Sequence, residues 1–196
     1  MNNNKKIIVI TGPSGAGKGS IFEAIMKKHH KLLGFSISAT TRPPRKNEEN
    51  GIHYYFISNE QFQKFIDDGA FIEYIAPKDK PQRWYGTLTS EVDRVLNSGK
   101  SILLDIEVVG AKNVKKVYGR NSLIISILPP SIEELSERLR KRGTETREQI
   151  EERIMQASLD EVALHNIADA KVINDKLPEA TEDTEKLVLN FLTSKK

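Results

Sequence analysis

Apolar and polar positions along the chain fall into short blocks of two kinds. Ile7–Thr11 (IIVIT) is a β-branched apolar run, long enough for a buried strand and too short for most helices. Ser101–Ile106 (SILLDI) and Ser122–Leu128 (SLIISIL) repeat the pattern, and Lys171–Asn174 (KVIN) is a shorter version. The segments between them carry apolar residues at helical spacing. Ile21, Phe22, Ala24, Ile25 and Met26 follow the first run, and helices are predicted over Ser90–Asn97, Val108–Val117 and Pro178–Leu192. Ser131-x-x-Glu134 and Thr146-x-x-Gln149 are capping-box signatures; they open helices through Arg142, where Gly143 intervenes, and to about His165. Apolar strands alternating with helices predict an α/β core around a parallel sheet.

The pattern changes between residues 35 and 89. Phe35–Thr40 (FSISAT) alternates like a strand, and His53–Ile57 (HYYFI) is a second candidate. The stretch from Thr41 to Gly51 between them is polar, proline-containing and loop-like. Asn59–Asp68 places Phe62, Phe65 and Ile66 on one helical face and stops at Gly69. Phe71–Ala76 (FIEYIA) is a third strand, in which Glu73 points opposite to Ile72 and Tyr74. Pro77–Arg83 is a loop leading to Trp84-Tyr85-Gly86-Thr87. These closely spaced strands predict an insert with its own small, partly antiparallel sheet.

Composition narrows the picture only a little. At 196 residues, with 38% apolar and 29% charged positions, the chain fits one domain with a substantial core. A net charge of +3 is too small to indicate nucleic-acid or membrane binding by itself. The absence of cysteine excludes disulfides and thiolate metal sites, and His29, His30, His53 and His165 show no metal-ligand spacing. The N-terminal MNNNKKIIVI does not read as a signal peptide, and no run approaches the ~18 apolar residues of a membrane span. A cytoplasmic protein is expected.

The strongest chemical signal directly follows the first apolar run. Gly12-Pro13-Ser14-Gly15-Ala16-Gly17-Lys18-Gly19-Ser20 lies between a strand and a helix, the context a phosphate-binding loop requires. Glycines let backbone N–H groups curl around an anion, the helix N-terminus adds partial positive charge, and Lys18 supplies a full one. After the lysine such loops carry Ser or Thr, whose hydroxyl ligates Mg²⁺; here Gly19 stands there and Ser20 follows. Asp105 is the charged end of a buried strand, at the carboxyl edge where parallel sheets bind ligands.

A second constellation is Ser38-Ala-Thr-Thr-Arg42-Pro-Pro-Arg45, followed by Glu48, Gly51 and Tyr54, then Glu73 and Tyr85-Gly86-Thr87. Two arginines three apart in a proline-stiffened loop can converge on one phosphate as bidentate donors. Together with GPSGAGK, LLDIE, ILPPS, RLRKRGTET and VIND, the SATTRPPR pattern makes the chain resemble guanylate kinases over nearly its whole length.

The resemblance implies one unit over residues 5–193. Its P-loop core would comprise 5–34, 90–129 and 166–193, with a GMP-binding insert at 35–89 and a helical lid at 130–165. It implies Mg²⁺-dependent transfer from ATP to GMP, with use of dGMP left open. Gly12 to Ser20 and Asn174 would contact ATP. Arg42, Arg45, Tyr54 and Tyr85 would hold the GMP phosphate, and Ser38, Glu73, Thr87 and Glu107 would read the base. Asp105 would organise the metal through water, with Ser20 a further candidate ligand. Arg138 and Arg142, four apart on one helical face, would close with Arg153 over the transferring phosphoryl group beside Lys18.

The chain departs from the family at Gly19, at Glu107 where aspartate is usual, and in a longer stretch between Glu73 and Tyr85. A kinase for another nucleoside monophosphate and a non-catalytic guanylate-kinase-like binding module are the alternatives. The intact Gly12–Lys18 loop argues against the module, and a GTPase switch lacks its NKxD-type guanine motif. Monomer and homodimer are both open.

Overall fold

β1 (Ile7–Thr11) is wholly buried and lies in the middle of a five-stranded sheet. The computed structural model describes residues 6–76, 80–143 and 146–194. In chain order, α1 (Lys18–His29) follows the glycine loop and leads to β2 (Leu33–Gly34), β3 (Ala39–Thr40) and β4 (Tyr55–Phe56). Next come α2 (Asn59–Asp67), β5 (Phe71–Ile75), β6 (Tyr85–Leu88) and α3 (Thr89–Asn97). β7 (Ser101–Asp105), α4 (Val108–Tyr118) and β8 (Ser122–Leu128) complete the central layers. α5 (Ile132–Arg142), α6 (Arg147–His165), β9 (Ala170–Ile173) and α7 (Leu177–Thr193) close the chain.

The main sheet has the order β2-β7-β1-β8-β9, every pair parallel. Alternation along the strands feeds two cores. Ile7, Val9, Ile102, Leu104 and Ile124 meet Val92 and Val95 of α3 and Ala111 and Val114 of α4. Ile8, Ile10, Leu103, Ile125 and Ile127 meet Ile21 and Ile25 of α1 and Ala180 and Val188 of α7. Helices on both faces explain why β1 is apolar at successive positions. The strand order reverses at β1, so the crevice beyond its carboxyl end is where such sheets bind ligands.

A second sheet, β4-β3-β6-β5, pairs β3 with β4 in parallel and the remaining neighbours antiparallel, as the pattern over 35–89 predicts. Phe62 of α2 is fully buried beneath it, with ring centroids 4.5 Å from Phe71 and 5.6 Å from Trp84. α5 and α6 enclose a separate small core of Leu135, Leu139, Ile150 and Ala157. Among the described residues no helix is long and apolar enough to cross a membrane.

Several boundaries differ from the sequence pattern, each for a local reason. Of the strand expected over Phe35–Thr40 only Ala39–Thr40 forms, in the smaller sheet, while Leu33–Gly34 just before it joins the main one. Residues between them cross from one sheet to the other, with Phe35 half exposed and the Ile37 amide bonded to the Glu91 carboxylate. Of His53–Ile57, only Tyr55–Phe56 pairs as a strand. In β5 a bulge between Phe71 and Glu73 breaks the alternation, so Ile72 and Glu73 are both buried while Tyr74 is exposed. The Thr146 capping box forms in full. At Ser131 only half forms, because the Glu134 carboxylate accepts from Arg138 at 2.8 Å instead of reaching back. Pro77, within the expected loop over 77–83, lies outside the described residues, and Pro81–Arg83 forms a single 3₁₀ turn.

Candidate active site

The glycine loop takes a shape that its neighbours require. Gly12 has φ 135°, and a Cβ there would lie 2.1 Å from the Ile127 carbonyl oxygen on β8. Gly17, at φ 89°, approaches Asn174 so closely that a Cβ would sit 2.2 Å from its side-chain nitrogen. Only glycine fits either place. Lys18 curls over the loop, its ammonium donating to the carbonyls of Gly12 and Pro13 at 2.7 and 3.0 Å.

Asn174 is buried, and its amide donates to the Ala16 carbonyl at 2.7 Å. In this position it holds the loop and does not line the cleft. Ser20 is exposed and does not line the cleft either. At about 100° per residue, a side chain two positions past Lys18 points to the other side of the helix.

Beyond the loop, a cleft of about 340 Å³ lies between the two sheets. Ser14, Lys18, Asp105 and Glu107 line it from the core side, and Ser38, Tyr54, Glu73, Tyr85 and Thr87 from the smaller sheet. Nine residues singled out by the sequence reading therefore converge. Thr87 donates its hydroxyl to the Glu73 carboxylate at 2.7 Å. Burial pushes the Glu73 carboxyl up, and the Glu107 charge adds to this while the Thr87 bond opposes it. Asp105 and Glu107 are reached by solvent, yet protein surrounds their carboxyls on most sides. That loss of hydration pushes both up against the pull of Lys18.

Arg42 and Arg45 behave differently from one another. The Arg42 guanidinium makes a fork with Glu48, at 2.6 and 2.7 Å, and lies 4.9 Å from the Tyr54 ring centroid. Glu48 also accepts from the Arg45 backbone N–H at 2.8 Å, while the Arg45 side chain is exposed. The Arg42 bond and the Arg45 amide lower the Glu48 carboxyl to about 2. Glu48 organises the arginine loop, a role the RxxR spacing alone did not reveal. Its position three after Arg45 was the available signal.

The other arginines come from α5 and α6. Arg153 donates to the Ser14 hydroxyl of the glycine loop. Arg138 pairs with Glu134 at 2.8 Å and reaches the Asp175 carbonyl at 3.4 Å. Arg142 is exposed on the last turn of α5 and lines no part of the cleft. The structure thus brings one of the three to the loop. Buried Asp160 of α6, held by Gln156 at 2.8 Å, sends its charge toward Glu107 and helps raise it. It had no motif to mark it.

The family model described as guanylate kinase matches residues 4–190. The chain is 43% identical to a guanylate kinase of Porphyromonas gingivalis, over 95% of its own length and 98% of the relative's. It is 41% identical to one from Chlorobium chlorochromatii, covering 95% and 96% of the two chains. The crystal structure of guanylate kinase from Anaplasma phagocytophilum shares the fold with a TM-score of 0.72 at 23% identity, over 97% of this chain and 87% of that one. A glycine loop, an arginine-bearing insert and a carboxylate facing the same cleft accompany this agreement, and the chain belongs to the guanylate kinase family.

Proposed function

We propose that the protein transfers the γ-phosphoryl group of ATP to the phosphate of GMP, giving ADP and GDP. One observation carries this reading: the Lys18 loop and the buried Glu73–Thr87 pair face a single cleft. The loop offers amides and a cation to a triphosphate. Glu73 offers acceptors to guanine N1–H and N2–H₂, two adjacent donors that adenine lacks on that edge.

In the reaction an oxygen of the acceptor phosphate attacks the γ-phosphorus in line. The bond from that phosphorus to the β–γ bridging oxygen breaks, and ADP leaves with the electron pair. Such chemistry needs positioning and charge neutralisation more than covalent help. The Gly12–Gly17 amides and Lys18 hold the donor, while Arg42, Arg45, Tyr54 and Tyr85 hold the acceptor phosphate. Ser38, Thr87 and Glu107 complete the reading of the base. Arg138, Arg142 and Arg153 neutralise the moving phosphoryl when α5 and α6, acting as a lid, close and exclude water.

The residues also fit a magnesium ion. Asp105 is a carboxylate raised by burial in the cleft, with the Lys18 charge as its cationic neighbour. Mg²⁺ bound with a nucleotide commonly takes one or two carboxylates, directly or through water, and phosphates for the rest. Asp105 would hold it through water. Mg²⁺ would supply charge neutralisation at the β- and γ-phosphates.

The test is ADP release from ATP with GMP, dGMP, AMP, CMP and UMP offered in turn. GMP is expected to be used best, and equal use of AMP would refute the assignment.

A further inference from the structure

Glu91 lies in the first turn of α3, outside the lining of the nucleotide cleft, and is only 5% exposed. Its carboxylate accepts four hydrogen bonds. One oxygen takes the Tyr55 hydroxyl at 3.0 Å and Arg94 Nε at 2.8 Å. The other takes the Ile37 backbone N–H at 2.9 Å and Arg94 Nη2 at 2.8 Å. The two non-arginine donors are the immediate neighbours of cleft residues. Ile37 precedes Ser38 and Tyr55 follows Tyr54, both of which line the cleft. The Tyr55 amide donates to the Ser38 carbonyl at 2.9 Å, so the contacts form a closed circuit from Glu91 through residues 37, 38 and 55.

The circuit sits where support is scarce. Between β2 and β3 the chain crosses from one sheet to the other, and β4 is only two residues long. α3 is the firm end, since its Val92, Val95 and Leu96 lie in the main core. A carboxylate fixed on that helix can hold two backbone segments that no extended ladder holds.

We propose that Glu91 is a positioning residue for the acceptor nucleotide: through Ile37 and Tyr55 it sets Ser38 and Tyr54 in the cleft. This rests on the reading of the cleft as a GMP site. Glu91 does not line the cleft, so its effect falls on acceptor binding. Glu91→Gln keeps the size but loses the charge and one acceptor. It should raise KM for GMP by roughly tenfold while leaving kcat at saturating GMP and KM for ATP within about twofold. Tyr55→Phe removes one contact, and should raise KM for GMP by about threefold in the wild type while adding little to Glu91→Gln.

Unchanged KM for GMP in folded Glu91→Gln would overturn the proposal. So would a joint change in kcat and both KM values, which a purely structural role would give. If Glu91→Gln does not fold, Tyr55→Phe alone decides by the same KM comparison. Wild-type turnover with the nucleotide panel separately tests the GMP reading. Should another monophosphate prove to be the acceptor, the same shift in its KM still tests Glu91.

Discussion

Gly110 of α4 packs directly against the side chain of Glu73: a Cβ at position 110 would lie 2.6 Å from Glu73 Cγ and 2.7 Å from its Cβ. The helix backbone is therefore the surface on which the buried carboxylate rests, and no side chain fits between them. Gly110→Ala should push Glu73 away from Thr87, weakening GMP binding about tenfold and costing about 1–3 kcal/mol through overpacking. GMP titration and denaturant unfolding would check both. A variant that binds GMP normally would show that Glu73 tolerates displacement.

Glu73 itself should reveal a conflict between stability and function. Its carboxyl is raised by burial, so the folded chain holds this proton where the unfolded chain has released it. Stability then falls as pH rises from the ordinary glutamate value through the raised one, and the loss persists above it. Glu73→Gln has no such loss. The nucleotide-free variant should melt higher than wild type at pH 7, with the gap narrowing as pH falls toward the ordinary carboxylate range. Thermal melts across pH measure this, and a variant that melts lower at pH 7 would contradict it.

The arginines of α5 and α6 should separate by kinetics. Arg153 already reaches the glycine loop, whereas Arg142 is exposed and acts only if the helices close. Arg153→Ala and Arg142→Ala should each lower kcat by about 10²-fold, the scale for removing one donor aimed at transition-state charge. KM for GMP should move far less. A change in KM alone would assign the residue to ground-state binding.

Much of this arrangement was legible in the sequence because strong local chemistry set it. Ile7–Thr11 has one way to be buried, and glycines 12 and 17 mark a backbone that other residues cannot follow. Ser38 of SATTRPPR, Glu73 of FIE and Tyr85 and Thr87 of YGT line the cleft, whereas Arg42 and Arg45 do not. What escaped depends on contacts distant in sequence or on small irregularities of backbone. The bulge that buries Ile72 and Glu73 together has no signature in FIEYI. Glu91 reads as an ordinary first-turn acid until residues 37 and 55 come to it.

Selection of guanine through Glu73 is read most directly from the ratio of kcat/KM for GMP to that for AMP. A site built on such hydrogen bonds leaves buried groups unpaired with the wrong base, so the wild-type ratio should reach about 10⁴ or more. Glu73→Gln should shrink it by damaging GMP use more than AMP use. Comparable turnover of AMP by the wild type, or an unchanged ratio in folded Glu73→Gln, would show that Glu73 does not select guanine.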